Sequence, residues 1–89
     1  EPITLLEEIG LKLKTIYEKA YEHSFSGDIS HVIHRLAQEA YEQRFGDIGY
    51  IRLFVQGIIR AFHLLRKEPK RTFNKDLPIK RMTLLARLQ

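Results

Sequence analysis

Residues 48–67 are apolar at most positions, and their polar side chains recur at helical intervals. Five of these side chains follow each other at spacings of four, four, three and four; they are Arg52, Gln56, Arg60, His63 and Lys67. On a helix with about 3.6 residues per turn, this spacing places them in one file. A helix that is apolar around the rest of its circumference needs neighbours on several sides. The pattern therefore predicts a central third helix at about residues 48–67.

Two amphipathic stretches precede this helix, and each has one apolar face. Between residue 2 and about residue 24, the apolar positions are Leu6, Ile9, Leu13, Ile16, Tyr17, Ala20 and Tyr21. Between residues 28 and 45, they are Ile29, Val32, Ile33, Leu36, Ala37, Ala40 and Tyr41. Steps of three and four are typical of one helix face. Asp28 is placed to cap the second helix and Gly46 to end it. Gly10 either weakens the first helix or allows a close helix crossing.

A fourth helix is predicted near the carboxyl end of the chain. Asp76 is placed to cap it, and Pro78 suits its first turn. The inward positions are Ile79, Met82, Leu85 and either Ala86 or Leu88. Short connections between helices favour antiparallel packing of neighbouring helices. The sequence shows neither strand-like alternation nor an internal repeat. We therefore expect one all-α domain over residues 1–89, a largely antiparallel bundle of four helices with the third helix at its centre.

Length and composition restrict the class of protein further. Eighty-nine residues suit one small domain, and without cysteine neither disulfides nor thiolate-bound metals can support its core. Arg52 and Arg60 interrupt the longest apolar stretch, and charges at that depth argue against a membrane span. Glu1 and Pro2 lead directly into a charged amphipathic pattern, so we expect no signal peptide. The expected location is the cytoplasm or another intracellular compartment.

Charge is distributed unevenly along the chain. Residues 1–59 hold six Lys or Arg and nine Asp or Glu, a net charge of −3, whereas residues 60–89 hold nine and two, a net charge of +7. A basic surface running from the third helix over the following loop to the fourth helix is the predicted partner-binding site. Its residues are Arg52, Gln56, Arg60, His63, Lys67, Lys70, Arg71, Lys75, Lys80 and Arg81.

Three interpretations of this basic surface are open. The charges can serve solubility alone, they can bind an acidic protein partner or a neighbouring domain, or they can bind the phosphate backbone of a nucleic acid. The chain has no RNP-type aromatic motif, no GXXG loop and no zinc-finger spacing, and its third helix is too apolar to lie in a groove as a recognition helix. Protein binding is therefore the preferred function, and nucleic-acid binding is the alternative. Homodimerisation could also use part of the apolar surface.

Enzyme, metal and cofactor chemistry find little support in the sequence. His31 and His34 are three positions apart, but no carboxylate or cysteine partners at helical spacing accompany them. No nucleophile elbow, Gly-rich phosphate loop or dinucleotide fingerprint is present. His63, which lies among cations, suits a hydrogen-bonding surface residue better than a catalyst. We expect a non-enzymatic protein without cofactor or metal.

Aromatic residues at helical spacing are usually core, but three of them lie at the edge of the apolar faces. If Tyr17, Tyr21 and Tyr41 bordered one exposed apolar patch, that patch would mark an interface.

The small size, basic charge, lack of cysteine and antiparallel order of four helices resemble the immunity proteins that protect bacteria from pediocin-type bacteriocins. Leu77 and Pro78 at the start of the last helix add to the likeness. The resemblance covers the general layout and no specific motif. It implies a four-helix bundle and an immunity-like function, and it assigns no role to individual residues.

Overall fold

Three helices form the described part of the structure, which is a computed structural model and describes residues 1–44 and 49–70. They are α1 (Pro2–Ala20), α2 (Ser30–Glu42) and α3 (Tyr50–Lys67). No strand occurs within the described ranges, so the all-α class is confirmed. The predicted fourth helix, and with it the four-helix count, lies outside the described residues.

The predicted end of the first helix and the predicted start of the second differ from the structure, whereas α3 ends at Lys67 as predicted. The first helix ends at Ala20 instead of residue 24, and a carboxylate oxygen of Glu18 accepts a hydrogen bond from the backbone N–H of Phe25 at 2.9 Å. The second helix begins at Ser30 instead of Asp28. The N-cap residue is Ile29, so the prediction that Asp28 caps this helix is wrong. The Oδ1 of Asp28 accepts a hydrogen bond from the N–H of Ser30 at 2.8 Å, and this bond lowers the pKa of Asp28. Local hydrogen bonds thus define the connection between α1 and α2.

The direction of each helix follows from a few contacts. Gly10 lies beside Phe54, and Tyr17, two turns later on α1, lies beside Phe62, two turns later on α3. Because residue numbers increase in the same direction along both helices, α1 and α3 are parallel. The end of α2 meets the start of α3, where the rings of Tyr41 and Tyr50 lie 5.5 Å apart. The start of α2, at Ile29, lines a cavity together with Leu65 near the end of α3, so α2 runs opposite to both. The described chain therefore goes up, down and up.

The hydrophobic core lies where the three helices meet. Its buried residues are Leu6, Tyr17, Ile29, Val32, Ile33, Leu36, Ala37, Ala40, Phe54, Ile58, Ala61, Phe62 and Leu65. The two largest fully buried side chains, Phe54 and Phe62, both come from α3. Each of the three helices packs against both others, however, so the described residues do not single out α3 as the central helix.

The apolar face of α1 is only partly covered, which corrects the prediction for several residues. Ile16 is 62% exposed, and Ala20 and Tyr21 are also exposed, although all three belong to the predicted inward face. The helices α2 and α3 cover the stripe around Leu6 and Tyr17. Ile16 precedes Tyr17 by one position, which turns its side chain about 100° away from that stripe.

Gly10 marks a close crossing of α1 with both other helices. A Cβ atom at this position would lie 2.6 Å from Cγ2 of Ile33 and 3.1 Å from Cζ of Phe54. Both distances are shorter than ordinary carbon–carbon contacts. Of the two explanations for Gly10, the structure therefore supports the close crossing.

Candidate functional site

One face of α3 carries the polar file that the spacing predicts, and we call it the basic face. It consists of Arg52, Gln56, Arg60, His63 and Lys67. The three cations among them are exposed, whereas Gln56 and His63 are half-buried. At 1.5 Å per residue, the file is about 22 Å long. Its position on the fold is observed, and its role in binding stays a prediction.

The cations of the basic face have no carboxylate partner among the described residues. The contact between Nδ1 of His34 and a carboxylate oxygen of Glu7, at 3.1 Å, joins α1 to α2 on another side of the bundle. Within residues 1–44 and 49–70, no ion pair involves Arg52, Arg60 or Lys67. Their charge is therefore not neutralised by a direct contact within this part of the fold.

A cluster of polar and aromatic side chains connects one edge of the basic face to α1. The hydroxyl of Tyr17, a residue that is 4% exposed, lies 2.8 Å from Nδ1 of His63 and accepts a hydrogen bond from Nε of Arg66 at 2.9 Å. Because Nε of arginine can only donate, the hydroxyl hydrogen can be donated to Nδ1. The guanidinium of Arg66 also lies 4.7 Å from the ring centre of Tyr21.

This cluster changes the interpretation of His63. The sequence places His63 in the basic file as a hydrogen-bonding surface residue, and the structure shows that its Nδ1 bonds within the fold. The ring also packs against Tyr17 and Tyr21 at 5.2 and 5.4 Å. Nε2 is the ring nitrogen that remains for a contact with a partner. The contact with Tyr17 does not follow from spacing along the chain, because the two residues are 46 positions apart.

Removing the hydroxyl of Tyr17 tests the stabilising role of this cluster. We expect Tyr17→Phe to lower the free energy of unfolding by about 1–3 kcal/mol, because His63 and Arg66 would both lose a partner in a half-buried place. Tyr21→Phe is the matched control: it removes an exposed phenol oxygen and should change stability by less than about 0.5 kcal/mol. Urea denaturation monitored by circular dichroism measures both, and equal losses for the two variants would contradict the assignment.

The remaining predicted site residues lie at or beyond the end of the described chain. Lys70 is exposed after Pro69 and is the last described residue. Arg71, Lys75, Lys80 and Arg81 lie outside the described residues. The predicted continuation of the basic surface over the loop to a fourth helix is therefore not observed.

The three tyrosines named as a candidate interface do not share a patch. Tyr17 is buried among Phe25 and Phe62 near the ends of α1 and α3. Tyr41 lies at the opposite end of the bundle against Tyr50, and only Tyr21 is largely exposed. The hypothesis of one patch bordered by all three is wrong, because α2 runs opposite to α1 and carries Tyr41 away from the other two.

Small-molecule and metal sites are weakly developed in the described residues. A cavity of about 230 Å³ lies at one end of the bundle, between the α1–α2 connection and Leu65, and it is smaller than typical ligand pockets. In residues 1–44 and 49–70, the His, Asp and Glu side chains do not form a group of three that could hold a metal ion. His31 and His34 are both exposed on α2.

No helix in the described ranges is both long enough and apolar enough to span a lipid bilayer. Comparisons of this chain with protein-family models, with curated proteins and with solved structures find no match. The resemblance to bacteriocin immunity proteins accordingly stays a prediction.

Proposed function

We propose that this chain is a non-enzymatic interaction module that binds an acidic surface of another protein, or of a neighbouring domain, through the basic face of α3. The observation that carries this proposal is the file of exposed Arg52, Arg60 and Lys67, which have no ion pair with a described carboxylate. An acidic partner would supply the negative charges that this part of the fold does not place there.

The spacing of these cations supports binding to an extended acidic surface. Arg52 and Arg60 are eight residues apart, or about 12 Å along the helix, and Lys67 follows after about 10 Å. These separations exceed the Debye length of about 8 Å at physiological salt, so each cation acts largely as a separate contact, and only an extended acidic surface can meet all three. The basic face speeds association and selects against basic partners more than it raises affinity.

The rigidity of α3 supports the same function. The opposite side of the helix is held in the core by Phe54, Ile58 and Phe62, which are fully buried. The basic face is therefore presented on an ordered backbone, and binding would need to order only the ends of long side chains. Less ordering on binding leaves more of the interaction energy for affinity.

Nucleic-acid binding through the same residues is the alternative. Phosphate contacts by Arg52, Arg60 and Lys67 would release counterions and would give a steep salt dependence. However, no aromatic residue lies within the file of five to stack on a base. The side of α3 next to α1 exposes the apolar Ile51, so the narrow basic face is what α3 offers to a phosphate backbone. We therefore favour a protein partner.

Neutralising the basic face tests the proposal. We expect the Arg52→Gln/Arg60→Gln variant to lose the acidic proteins that the unchanged chain captures at about 0.15 M salt, because the long-range attraction is removed. Lys12→Gln/Lys19→Gln is the matched control, since it removes two exposed cations from α1 and changes the net charge equally. Affinity capture followed by mass spectrometry compares the three proteins. Identical recoveries would place the interface elsewhere.

A mobility-shift assay separates the alternative. If the partner were a nucleic acid, a duplex of about 20 base pairs would shift at low salt, and the plot of log affinity against log salt would become less steep by about two units in the Arg52→Gln/Arg60→Gln variant. Absence of a shift at low salt with the unchanged chain would exclude nucleic-acid binding through this face.

A further inference from the structure

An apolar groove between α1 and α3 lacks a cover in the described part of the structure. Three of the most exposed large apolar side chains belong to it: Leu5 at 46%, Ile16 at 62% and Ile51 at 41%. Ile9, Leu13, Val55 and Ile59 are half-buried and pack against the core. We call these seven residues the α1–α3 groove.

The helix directions bring the two walls of this groove together. Because Gly10 lies beside Phe54 and Tyr17 beside Phe62, a residue on α1 faces the residue about 44 or 45 positions later on α3. This register places Leu5 level with about residue 50 and Ile9 level with about residue 54, within one or two positions of Ile51 and Val55. On α1, these side chains lie on the flank opposite to Glu7, which contacts α2. The groove is therefore on the side of the bundle that α2 does not reach.

The α1 sequence indicates that something covers this flank. Its apolar positions from Leu5 round to Tyr17 span about 120° of the helix, and α2 and α3 cover only the part around Leu6 and Tyr17. In an up-down-up-down bundle, the fourth helix packs between the first and the third. The open groove lies at the position that this arrangement assigns to a fourth helix.

We propose that residues 77–88 of this chain dock in the α1–α3 groove as an amphipathic helix, with Ile79, Met82 and Leu85 against it. These positions recur every three residues, whereas Lys80, Thr83 and Arg87 fall on other sides of such a helix. The segment thus has an apolar stripe that matches an apolar groove.

Length supports the same assignment. Twelve helical residues are about 18 Å long, and the groove from Ile16 back to Leu5 measures about 17 Å along α1. The described chain ends at Lys70, shortly after the end of α3, which is also the end of the bundle where Ile16 and Tyr17 lie. Residues 71–76 can span up to about 20 Å, which is enough to lead the chain round to the groove.

Docking there would also extend the basic face. The wall of the groove on α3 borders Arg52 and His63, so a helix in the groove would carry Lys80 and Arg81 to the same side of the molecule. This consequence rests on the proposed function, whereas the docking itself does not. The experiment below detects docking without any partner, so a failed docking test and a failed binding test can be told apart.

The absence of cysteine allows a direct test with single thiols in the full chain. Ile16→Cys places a thiol in the groove, and Leu11→Cys places one at a similarly exposed position on the other side of α1. For each variant, the rate of reaction with a thiol probe is measured in the folded protein and divided by the rate in urea. We expect Ile16→Cys to react about tenfold more slowly than Leu11→Cys, because the probe must wait for local opening.

Changes in the segment identify what covers the groove. Adding Met82→Asn and Leu85→Asn to Ile16→Cys should restore the rate of Leu11→Cys, whereas adding Thr83→Asn should leave it slow. Equal rates for the two thiols in the otherwise unchanged chain would overturn the proposal. Slow reaction of the Ile16→Cys thiol that persists after Met82→Asn/Leu85→Asn would also overturn it. Protection that grows with protein concentration, together with a dimer in light scattering, would assign the groove to a second copy instead.

Discussion

Replacing Phe54 with alanine is expected to lower the free energy of unfolding by about 3–5 kcal/mol. Phe54 is fully buried, and its ring reaches the crossing of all three helices, where it lies against Gly10. Truncation would remove apolar contacts and leave a cavity that three packed backbones cannot close. The free energy of unfolding of small domains is typically about 5–15 kcal/mol, so this loss would be a large share of it.

Ile51→Ala provides the matched control for Phe54→Ala. Ile51 lies one turn earlier on α3, in the α1–α3 groove, and is 41% exposed in the described fold. Even with residues 77–88 docked on it, its truncation should cost only about 2 kcal/mol, because it does not reach the crossing of the three helices. Urea denaturation with intrinsic tyrosine fluorescence measures both variants. A loss for Phe54→Ala no larger than that for Ile51→Ala would mean that the buried face of α3 has been assigned to the wrong residues.

Replacing Gly10 with valine has the second-largest expected effect, a loss of about 3 kcal/mol at the upper end of the usual cost of overpacking. The Cβ alone would lie 2.6 Å from Cγ2 of Ile33, which is a branched methyl close to its own backbone and cannot swing away. Two further methyl groups would force α1 away from α2 and α3. Valine has a better helix propensity than glycine by only a few tenths of a kcal/mol, so the steric cost is about ten times larger than this gain.

Leu11→Val separates the steric effect at Gly10 from the intrinsic effect of a β-branched residue. It places the same side chain at the next position of α1, where nearly half of the side chain is exposed, and should cost less than about 1 kcal/mol. Thermal denaturation by circular dichroism provides both values. If Gly10→Val were as stable as Leu11→Val, the close crossing described here would be wrong.

The helices themselves were predictable because their signal is local. Steps of three and four between apolar residues define a helix face whatever the neighbours are, and the file from Arg52 to Lys67 emerged in the same way. The ends were less predictable, because they depend on contacts that the periodicity does not contain. The first helix stops at Ala20, where the Glu18 side chain turns back to hold the N–H of Phe25.

The candidate site was predictable in its charge and unpredictable in its contacts. Spacing placed His63 among the cations of the basic face. Spacing could not show that Tyr17 bonds both His63 and Arg66, which are 46 and 49 positions away. Contacts of this kind depend on how two helices are rotated against each other, and rotation follows from packing of the whole core.

By itself, the sequence determined the helical class, the segments that form the three described helices, and the single polar face of α3, since each depends on intervals of a few residues. Only the tertiary structure decided which part of the broad apolar arc of α1 is buried. Gly10 and Tyr17 lie inside, whereas Ile16 remains exposed, as does Ile51 on α3. The physical reason is that an amphipathic pattern states how much of a helix is apolar, while the direction and closeness of its neighbours decide how much of that surface they cover.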